Sequence, residues 1–457
     1  MDILAPIVRW VIAPAWAIRD RNPYLRHYRR LLRTQFDPPA VIQRRQWGRI
    51  EQLLRHAYET TRFWRRRLEA ASLKPGDIRS WDDFRRIPLL TKNDLRAHQD
   101  ELLSSKYDRA SLPCSRTSGS TGVPVAVFKD NACCHFGQGC TLRSDEWSGW
   151  RLGERVAVIW GNAAQELRGP GWRGYLRNAL LDRRTFADSL CLNEETLKEF
   201  VTTLRRKPPS LLFGHAHSLY LVANYLECRG PTDIRPTGII SSAMVLHDWE
   251  RETIERVFHC PVTNRYGCEE VGLIACECEK HDGLHVNADG LFVEIIRPDG
   301  APCPPGEPGM VVVTDLRNRA MPLIRYQIGD TAAWAGRACP CGRGLPLLER
   351  VEGRVADYVL TPRGELVSGI SLTDHFNTLV PGVVQMQIVQ EEIDRFLFRI
   401  VRGPDYGEAS ARKIGELVAV RFGPEVRYEC EFVDRIPQEP SGKFRFCISR
   451  VRKPFVS

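Results

Sequence analysis

The spacing of apolar positions along the chain changes character twice. Through about residue 105 it is helical: Ile50, Leu53, Leu54 and Ala57 share one face, as do Trp64 and Leu68, the three-and-four spacing of amphipathic helices. Pro88 and then Thr91-Lys92-Asn93-Asp94 predict a loop and a capped helix start, with Asp94 in the first turn. Beyond residue 115 short apolar runs alternate with helical stretches. Strands are expected at Arg155–Trp160, Ser210–Phe213, Gly238–Ser242 and near Val262–Tyr266. Helices are expected near 131–147 and 194–206 and over His217–Glu227 and Asp248–Phe258. Such alternation predicts an α/β fold with a mostly parallel, doubly wound sheet. From Leu291 the pattern turns to β, with runs at Phe292–Arg297 and Met310–Thr314 around turns at 298–300 and 302–308. The last block has strands at Gln385–Val389, Phe396–Val401 and Tyr428–Phe432 and a helix at Ala409–Phe422. The expected architecture is therefore a large domain, 1–353, with a helical lead-in over 1–105 and a β-rich portion, then a small α+β domain, 354–457.

Composition narrows the class. With 457 residues, 43% apolar and 26% charged, the chain has the make-up of a multidomain globular protein. Its net charge of +9 favours anionic partners, but the basic residues are spread out, and a local pocket for a nucleotide or coenzyme A accounts for them without nucleic acid. Arg9 interrupts the apolar run Ile3–Ile18 before it can span a bilayer, and no signal-peptide pattern is present. A cytoplasmic protein with reduced thiols is expected despite fifteen cysteines. Trp10 and Trp16 are expected to cap a core, a weak interfacial role being the alternative. The oligomeric state stays open, a homodimer included.

The candidate chemistry centres on Ser115-Arg116-Thr117-Ser118-Gly119-Ser120-Thr121-Gly122-Val123-Pro124. A turn so rich in glycine and hydroxyls frees backbone N–H groups to approach an anion such as a triphosphate. No Lys-Ser/Thr pair follows, so it is not a Walker loop. Asn264-Arg265-Tyr266-Gly267-Cys268-Glu269-Glu270 follows an expected strand, where parallel sheets build ligand crevices. There a tyrosine can stack on a purine and a carboxylate can hold Mg²⁺. Arg325-Tyr326-Gln327-Ile328-Gly329-Asp330 sets a carboxylate where it can accept ribose hydroxyls. Gly353-Arg354-Val355-Ala356-Asp357 has the place of a hinge, and Pro440-Ser441-Gly442-Lys443 puts a lysine after a tight turn. Each stretch alone is also an ordinary turn or surface group.

Taken in order, these five motifs resemble the adenylate-forming superfamily of acyl-CoA synthetases, luciferases and peptide-synthetase adenylation domains. With the N-terminal helices and Cys339-Pro340-Cys341-Gly342-Arg343, the likeness is to the phenylacetate–CoA ligase branch, some of whose members occur with capsular polysaccharide genes. The resemblance implies an ATP- and Mg²⁺-dependent ligase that makes an acyl-adenylate from a small carboxylic acid and then a coenzyme A thioester. It implies that Ser118, Gly119, Ser120, Thr121 and Gly122 hold phosphates, and that Ser242, Ala243, Met244, Asn264, Arg265, Tyr266 and Gly267 lie about the adenine. Glu270 would carry Mg²⁺, Asp330 and Arg354 the ribose. Asp357 would be the hinge of a mobile lid and Lys443 the adenylating lysine. Glu269 stands where the family has Thr or Ser. Adenylation followed by transfer to an amine or hydroxyl is the second reading. A non-catalytic binding protein, which would not bind ATP, is the third.

A second constellation is Cys276, Cys278, His281 and His285 with Cys339 and Cys341. Thiolates and imidazoles on hairpin tips suit tetrahedral Zn²⁺, although Cys-x-Cys is tighter than the usual two-residue gap, and reduced loop cysteines are the alternative. The resemblance points to Cys278, His285, Cys339 and Cys341, with Cys276 and His281 as substitutes. It also places His135, Phe136, Phe213, Gly214, His215 and His217 near the acid pocket, where a packing role would serve equally for each.

Overall fold

The computed structural model describes residues 2–117, 125–161, 171–189, 192–352, 358–362, 366–368, 372, 376, 379–436 and 447–451. The chain divides into two compact units, 1–115 with 126–353, and 116–125 with 354–457.

The first unit is built on one eleven-stranded sheet. Strands β1 (Cys114–Thr117) and β2 (Val125–Phe128) precede it in sequence. Its parallel part comprises β3 (Val156–Trp160), β4 (Arg184–Asp188), β5 (Leu211–His215), β6 (Gly238–Ser242) and β7 (Val262–Cys268), in the order β4-β3-β5-β6-β7. The remaining strands are β8 (Gly272–Glu277), β9 (Leu284–Val286), β10 (Leu291–Ile296), β11 (Gly309–Asp315), β12 (Tyr326–Trp334) and β13 (Leu347–Glu352). They continue from β7 as β8-β9-β13-β12-β11-β10, every neighbour antiparallel. The β-rich portion expected from the sequence is thus the same sheet, carried on with reversed strands.

Parallel strands are buried on both faces. Here Ala157, Ile159, Leu212, Ile239 and Val262 point into a core closed by Leu197, Phe200, Leu219, Val222, Ile254 and Phe258 from the helices Glu194–Arg206, Ala216–Glu227 and Asp248–Phe258. The alternate residues Val156, Val158, Leu211 and Ile240 pack against Leu25, Leu142 and Trp150. The helices begin where local chemistry dictates. Asn193 accepts from the Thr196 N–H at 2.9 Å and Asp130 from the Cys133 N–H at 2.8 Å, satisfying first-turn donors. At the anticipated helix start, Thr91 and Asp94 form a capping box with reciprocal bonds of 2.8 and 3.1 Å.

The helical lead-in clamps onto this sheet. Ile50, Leu53, Leu54, Ala57, Trp64 and Leu68 are all buried, and the Trp64 indole N–H donates to Pro322 O at 2.9 Å. The helix Pro39–Thr60 also grips the turn after β9. Arg45 lies 3.1 Å from one Asp289 oxygen and the wholly buried Arg143 3.3 Å from the other, while Gln46 donates to Leu291 O at 2.9 Å. Of the two N-terminal tryptophans, Trp16 is half-buried beneath Arg19 and Arg177. Trp10 is 68% exposed and caps nothing.

In the second unit β14 (Tyr358–Leu360) and β15 (Leu366–Ser368) form a hairpin. A four-stranded sheet orders β18 (Arg427–Phe432), β17 (Arg395–Arg402), β16 (Val383–Glu392) and β19 (Cys447–Ser449). Met386, Ile388, Phe396, Phe398 and Ile400 meet Ile414, Leu417, Val418 and Phe422 of the helix Glu408–Phe422.

The Asp289 clamp yields a stability prediction. Replacing Asp289 by Ala strands the buried Arg143 guanidinium without its carboxylate, a loss of about 3–5 kcal/mol. Urea unfolding of Asp289→Ala should show that loss, and a change below about 1 kcal/mol, the scale of an exposed pair, would contradict the clamp.

Candidate active site and cysteine–histidine centre

The parallel run ends at β7, and the chain reverses through residues 269–271 into β8. The register slips between Tyr266 and Gly267, turning the Tyr266 side chain toward β12. Gly267 lies so close to β8 that a Cβ would sit 2.7 Å from Gly272 O, closer than atoms tolerate. The Tyr266 hydroxyl donates to Asp330 Oδ2 at 2.9 Å. Four residues before Asp330 on β12, the Tyr326 hydroxyl donates to Glu270 Oε1 at 2.9 Å. Glu270 is 2% exposed and has Lys92 Nζ at 3.8 Å. Gly329, at φ +96°, supplies the left-handed bend that presents Asp330.

Ser242, Ala243 and Met244 lie at the end of the neighbouring parallel strand, with Ser242 in register with Arg265 and Ala243 at φ +66°. Asn264 is half-buried, and its N–H donates to Glu277 Oε2 at 2.8 Å. The Arg265 guanidinium is engaged by Asp145 at 2.9 Å and lies over the Phe213 ring. Burial raises the Asp145 carboxyl more than Arg265 lowers it. Glu269 is exposed, and its carbonyl accepts from Lys129 Nζ at 2.7 Å. The carboxyl end of β7 and the turn after it thus bring Tyr266 to Asp330 and Glu270 to Tyr326. Ser118, Gly119, Ser120, Thr121, Gly122, Arg354, Asp357 and Lys443 lie outside the described residues. The pairings of Tyr326 with Glu270 and of Lys92 with Glu270 were not anticipated. Tyr326 and Asp330 share strand β12, but its alternation is broken between them by a register shift and by Gly329.

Beside this cluster a cavity of about 550 Å³ opens between the sheet and the helix Asn131–Asp145, lined among others by Trp16, Gln138, Thr141, Trp160, Phe213 and Arg265. Of the acid-pocket candidates, Phe213 lines it. Gly214 is buried against Ile159. His215 is buried 4.0 Å from the Trp160 ring, and burial pushes its imidazole down to about 4. His217 is buried with Glu250 at 3.2 Å. Phe136 packs on His27 beneath Arg317, and His135 is half-buried.

On the antiparallel side, pairing of Leu347 with His285 draws the loop carrying Cys339 and Cys341 against β9. The Sγ atoms of Cys278, Cys339 and Cys341 and a ring nitrogen of His285 all fall within 4.8 Å of one another. The Cys278 and Cys339 sulfurs are 3.6 Å apart, and Cys341 Sγ is 3.2 Å from His285 Nε2. Backbone N–H groups two residues on, from Lys280 and Arg343, donate to Cys278 and Cys341 at 3.5 and 3.4 Å. Such bonds stabilise a thiolate. Burial raises the Cys341 thiol, but the Arg343 N–H and guanidinium outweigh it and hold the group below its usual value. Burial pushes His285 down to about 4, leaving the imidazole neutral. The two substitutes stand apart from this group. Cys276 is locked in the β8 ladder opposite Arg265, and the His281 ring is 3.3 Å from Glu277. Among the described residues no two cysteines form a disulfide.

This architecture is the fold of the adenylate-forming ligases. A crystal structure of 2-hydroxyisobutyryl-CoA ligase with 2-HIB-AMP and CoA, 21% identical, superposes at a TM-score of 0.63 over 92% of each chain. More particularly, the protein is homologous to protein CapK of Staphylococcus aureus, 26% identical over 81% of each chain. It is likewise homologous to the phenylacetate-coenzyme A ligase of Thermus thermophilus, 27% identical over 71% of this chain and 72% of that one. Residues 359–450 match the CapK C-terminal domain family.

The close approach at Gly267 is directly testable. Gly267→Ala forces β7 and β8 apart at the turn, and overpacking of this kind costs about 1–3 kcal/mol. Its melting temperature should fall, and an unchanged value would show that the turn does not need glycine.

Proposed function

We propose that this protein is an ATP- and Mg²⁺-dependent ligase that activates a small carboxylic acid as an acyl-adenylate and passes the acyl group to coenzyme A. The observation that carries the reading is the pairing of Tyr266 with Asp330 and of Tyr326 with Glu270 at the carboxyl end of parallel strands, in a homologue of phenylacetate-coenzyme A ligases. A carboxylate attacking an α-phosphate meets like charge, so the site must supply cations and oriented donors. In this reading Ser118, Gly119, Ser120, Thr121 and Gly122 bind phosphate oxygens. Ser242, Ala243, Met244, Asn264, Arg265, Tyr266 and Gly267 frame the adenine, Arg265 through its hold on Asp145. Asp330 and Arg354 take the ribose. Glu270, a buried carboxylate beside Lys92, offers the hard oxygen that Mg²⁺ requires, and the ion would neutralise charge on the leaving pyrophosphate. Lys443 aligns acid and α-phosphate, and the unit beyond Asp357 serves as the lid. The acid occupies the cavity by Phe213 and Trp160. The free thiols fit a cytoplasmic setting.

Transfer to an amine or hydroxyl instead of coenzyme A has one observation in its favour. The unit that would present the acceptor matches the CapK C-terminal domain rather than a family named for coenzyme A ligases. Acid-dependent AMP release, measured with and without coenzyme A, separates the two. Stimulation by coenzyme A with thioester formation supports the first reading, and indifference to it overturns that reading.

We further propose that Cys278, His285, Cys339 and Cys341 hold a structural Zn²⁺. The donors fit: Zn–S bonds of about 2.3 Å give a tetrahedron with S···S edges of roughly 3.8 Å, against the 3.6 Å between Cys278 and Cys339. With four protein ligands the site would be closed and would bind no substrate. The purified protein should carry about one equivalent of zinc. Cys339→Ser combined with Cys341→Ser should lose it and melt lower, and a metal-free wild type of equal stability would rule the site out.

Two substitutions test the nucleotide assignments. Asp330→Ala should weaken ATP binding by about 1.5–3 kcal/mol, the worth of a charge-assisted hydrogen bond, and unchanged affinity in a folded variant would remove Asp330 from the ribose site. Lys443→Ala should slow adenylation on the order of a hundredfold while leaving thioester formation from preformed acyl-adenylate near normal. Equal loss in both half-reactions would contradict the lid's alternation.

A further inference from the structure

The N-terminal helix is apolar on the side that faces away from the protein. It runs unbroken from Leu4 to Arg19, with a π-turn over Val8–Ile12. Ala5, Val8 and Ala13 pack inward with Leu181. The exposed positions before Arg19 are Ile3, Pro6, Ile7, Trp10, Val11, Ala15 and Ile18, with Ile3 and Ile18 each 79% and Trp10 68% open to solvent. The one charged side chain within it before Arg19, Arg9, is held by Leu152 O and Glu154, and an apolar helix face belongs against a protein core or in lipid. Packed against it through Leu181, the segment that begins with the helix Trp172–Arg177 brings Trp172 and Tyr175, 71% and 77% exposed. Next in the chain, the helix Tyr24–Thr34 turns out Arg26, Arg29, Arg30 and Arg33, and Arg19 and Arg21 are exposed before it. Residues 1–33 hold seven arginines against two aspartates.

We propose that this face docks on an anionic lipid bilayer, with the helix Leu4–Arg19 lying in the interface. Exposed Trp and Tyr, exposed aliphatic side chains and an arginine-rich next helix match the composition of helices that lie on membranes. Charge selects lipid over a second copy of the chain. A two-fold contact through this helix would bring two copies of the arginine-rich segment 19–33 toward each other, whereas anionic headgroups neutralise it. Among the described residues no helix is long and apolar enough to cross a membrane, so the docking is peripheral.

The test is co-sedimentation of the full chain with vesicles of phosphatidylcholine and phosphatidylglycerol, beside phosphatidylcholine alone. Binding should require the anionic lipid and weaken as salt rises. Ile7→Glu with Trp10→Glu and Ile18→Glu should lower it at least about tenfold, with melting temperature unchanged because the three side chains are exposed. Arg26→Gln with Arg29→Gln, Arg30→Gln and Arg33→Gln should lower it similarly while keeping the apolar stripe, and so reports even if the first variant folds poorly. Absence of binding by the wild type, or equal binding by both variants, overturns the proposal. So does a dimer that the glutamate variant dissociates without any vesicle binding, which would assign the face to a second copy.

Discussion

A parallel strand must be covered on both faces, and a sheet of such strands can change direction only where one chain segment turns straight back. Among the described residues, the large sheet changes from parallel to antiparallel pairing once, between β7 and β8. The reversal has two consequences. At the carboxyl end of the parallel strands it leaves Tyr266, at the end of β7, and Glu270, in the turn, facing β12, bringing Glu270 to Tyr326 and Asp330 to Tyr266. On the antiparallel side it strings β8, β9 and β13 side by side, which gathers three cysteines and a histidine from stretches some distance apart in sequence. The candidate active site and the cysteine–histidine centre are two ends of one topological event.

The helical lead-in, together with the helix Asn131–Asp145, holds the turn that follows β9. Arg45, Gln46 and Arg143 converge on residues 287–291, the turn that follows β9. Trp147 then lies edge-on to His285 and beneath Arg343, so the clamp and the sulfur centre share a wall. A buried arginine held by one aspartate is costly to disturb, and that cost fixes the register of the strands carrying the site. The same helices leave Trp10 and its apolar neighbours outside, because Gly153 and Leu181 are already covered by Ala5 and Val8.

Much of this is legible in the residues. The runs at Val156–Trp160, Leu211–His215 and Gly238–Ser242 are short, apolar and bounded by turns, so their strand character and parallel order follow from pattern alone. β4 escapes notice because Arg184-Thr185-Phe186-Ala187-Asp188 is an edge strand of mixed polarity. β8 and β9 are hard to read because cysteines and a histidine occupy their ladders, and their pairing partners lie far along the chain. For the same reason spacing could not separate Cys276 from Cys278. Both lie in one short stretch, and Cys276, in register with Arg265 and with His285, falls outside the group of four that the fold assembles. Tyr266 and Asp330 stood out through their motifs, whereas Lys92 is visible only once the lead-in has folded against Glu270. The acid pocket was the least legible, since Trp16 and Thr141 reach the cavity from separate helices.

The central claim is acid-dependent adenylation at the strand ends of β6, β7 and β12. Isotope exchange between pyrophosphate and ATP, run across aryl, fatty, hydroxy and amino acids with Mg²⁺ and without coenzyme A, tests it most directly, because exchange needs only the first half-reaction. At least one acid should drive exchange that vanishes when Mg²⁺ is chelated and in Asp330→Ala. Failure of a folded protein to bind ATP, or exchange that Asp330→Ala leaves untouched, would contradict the account.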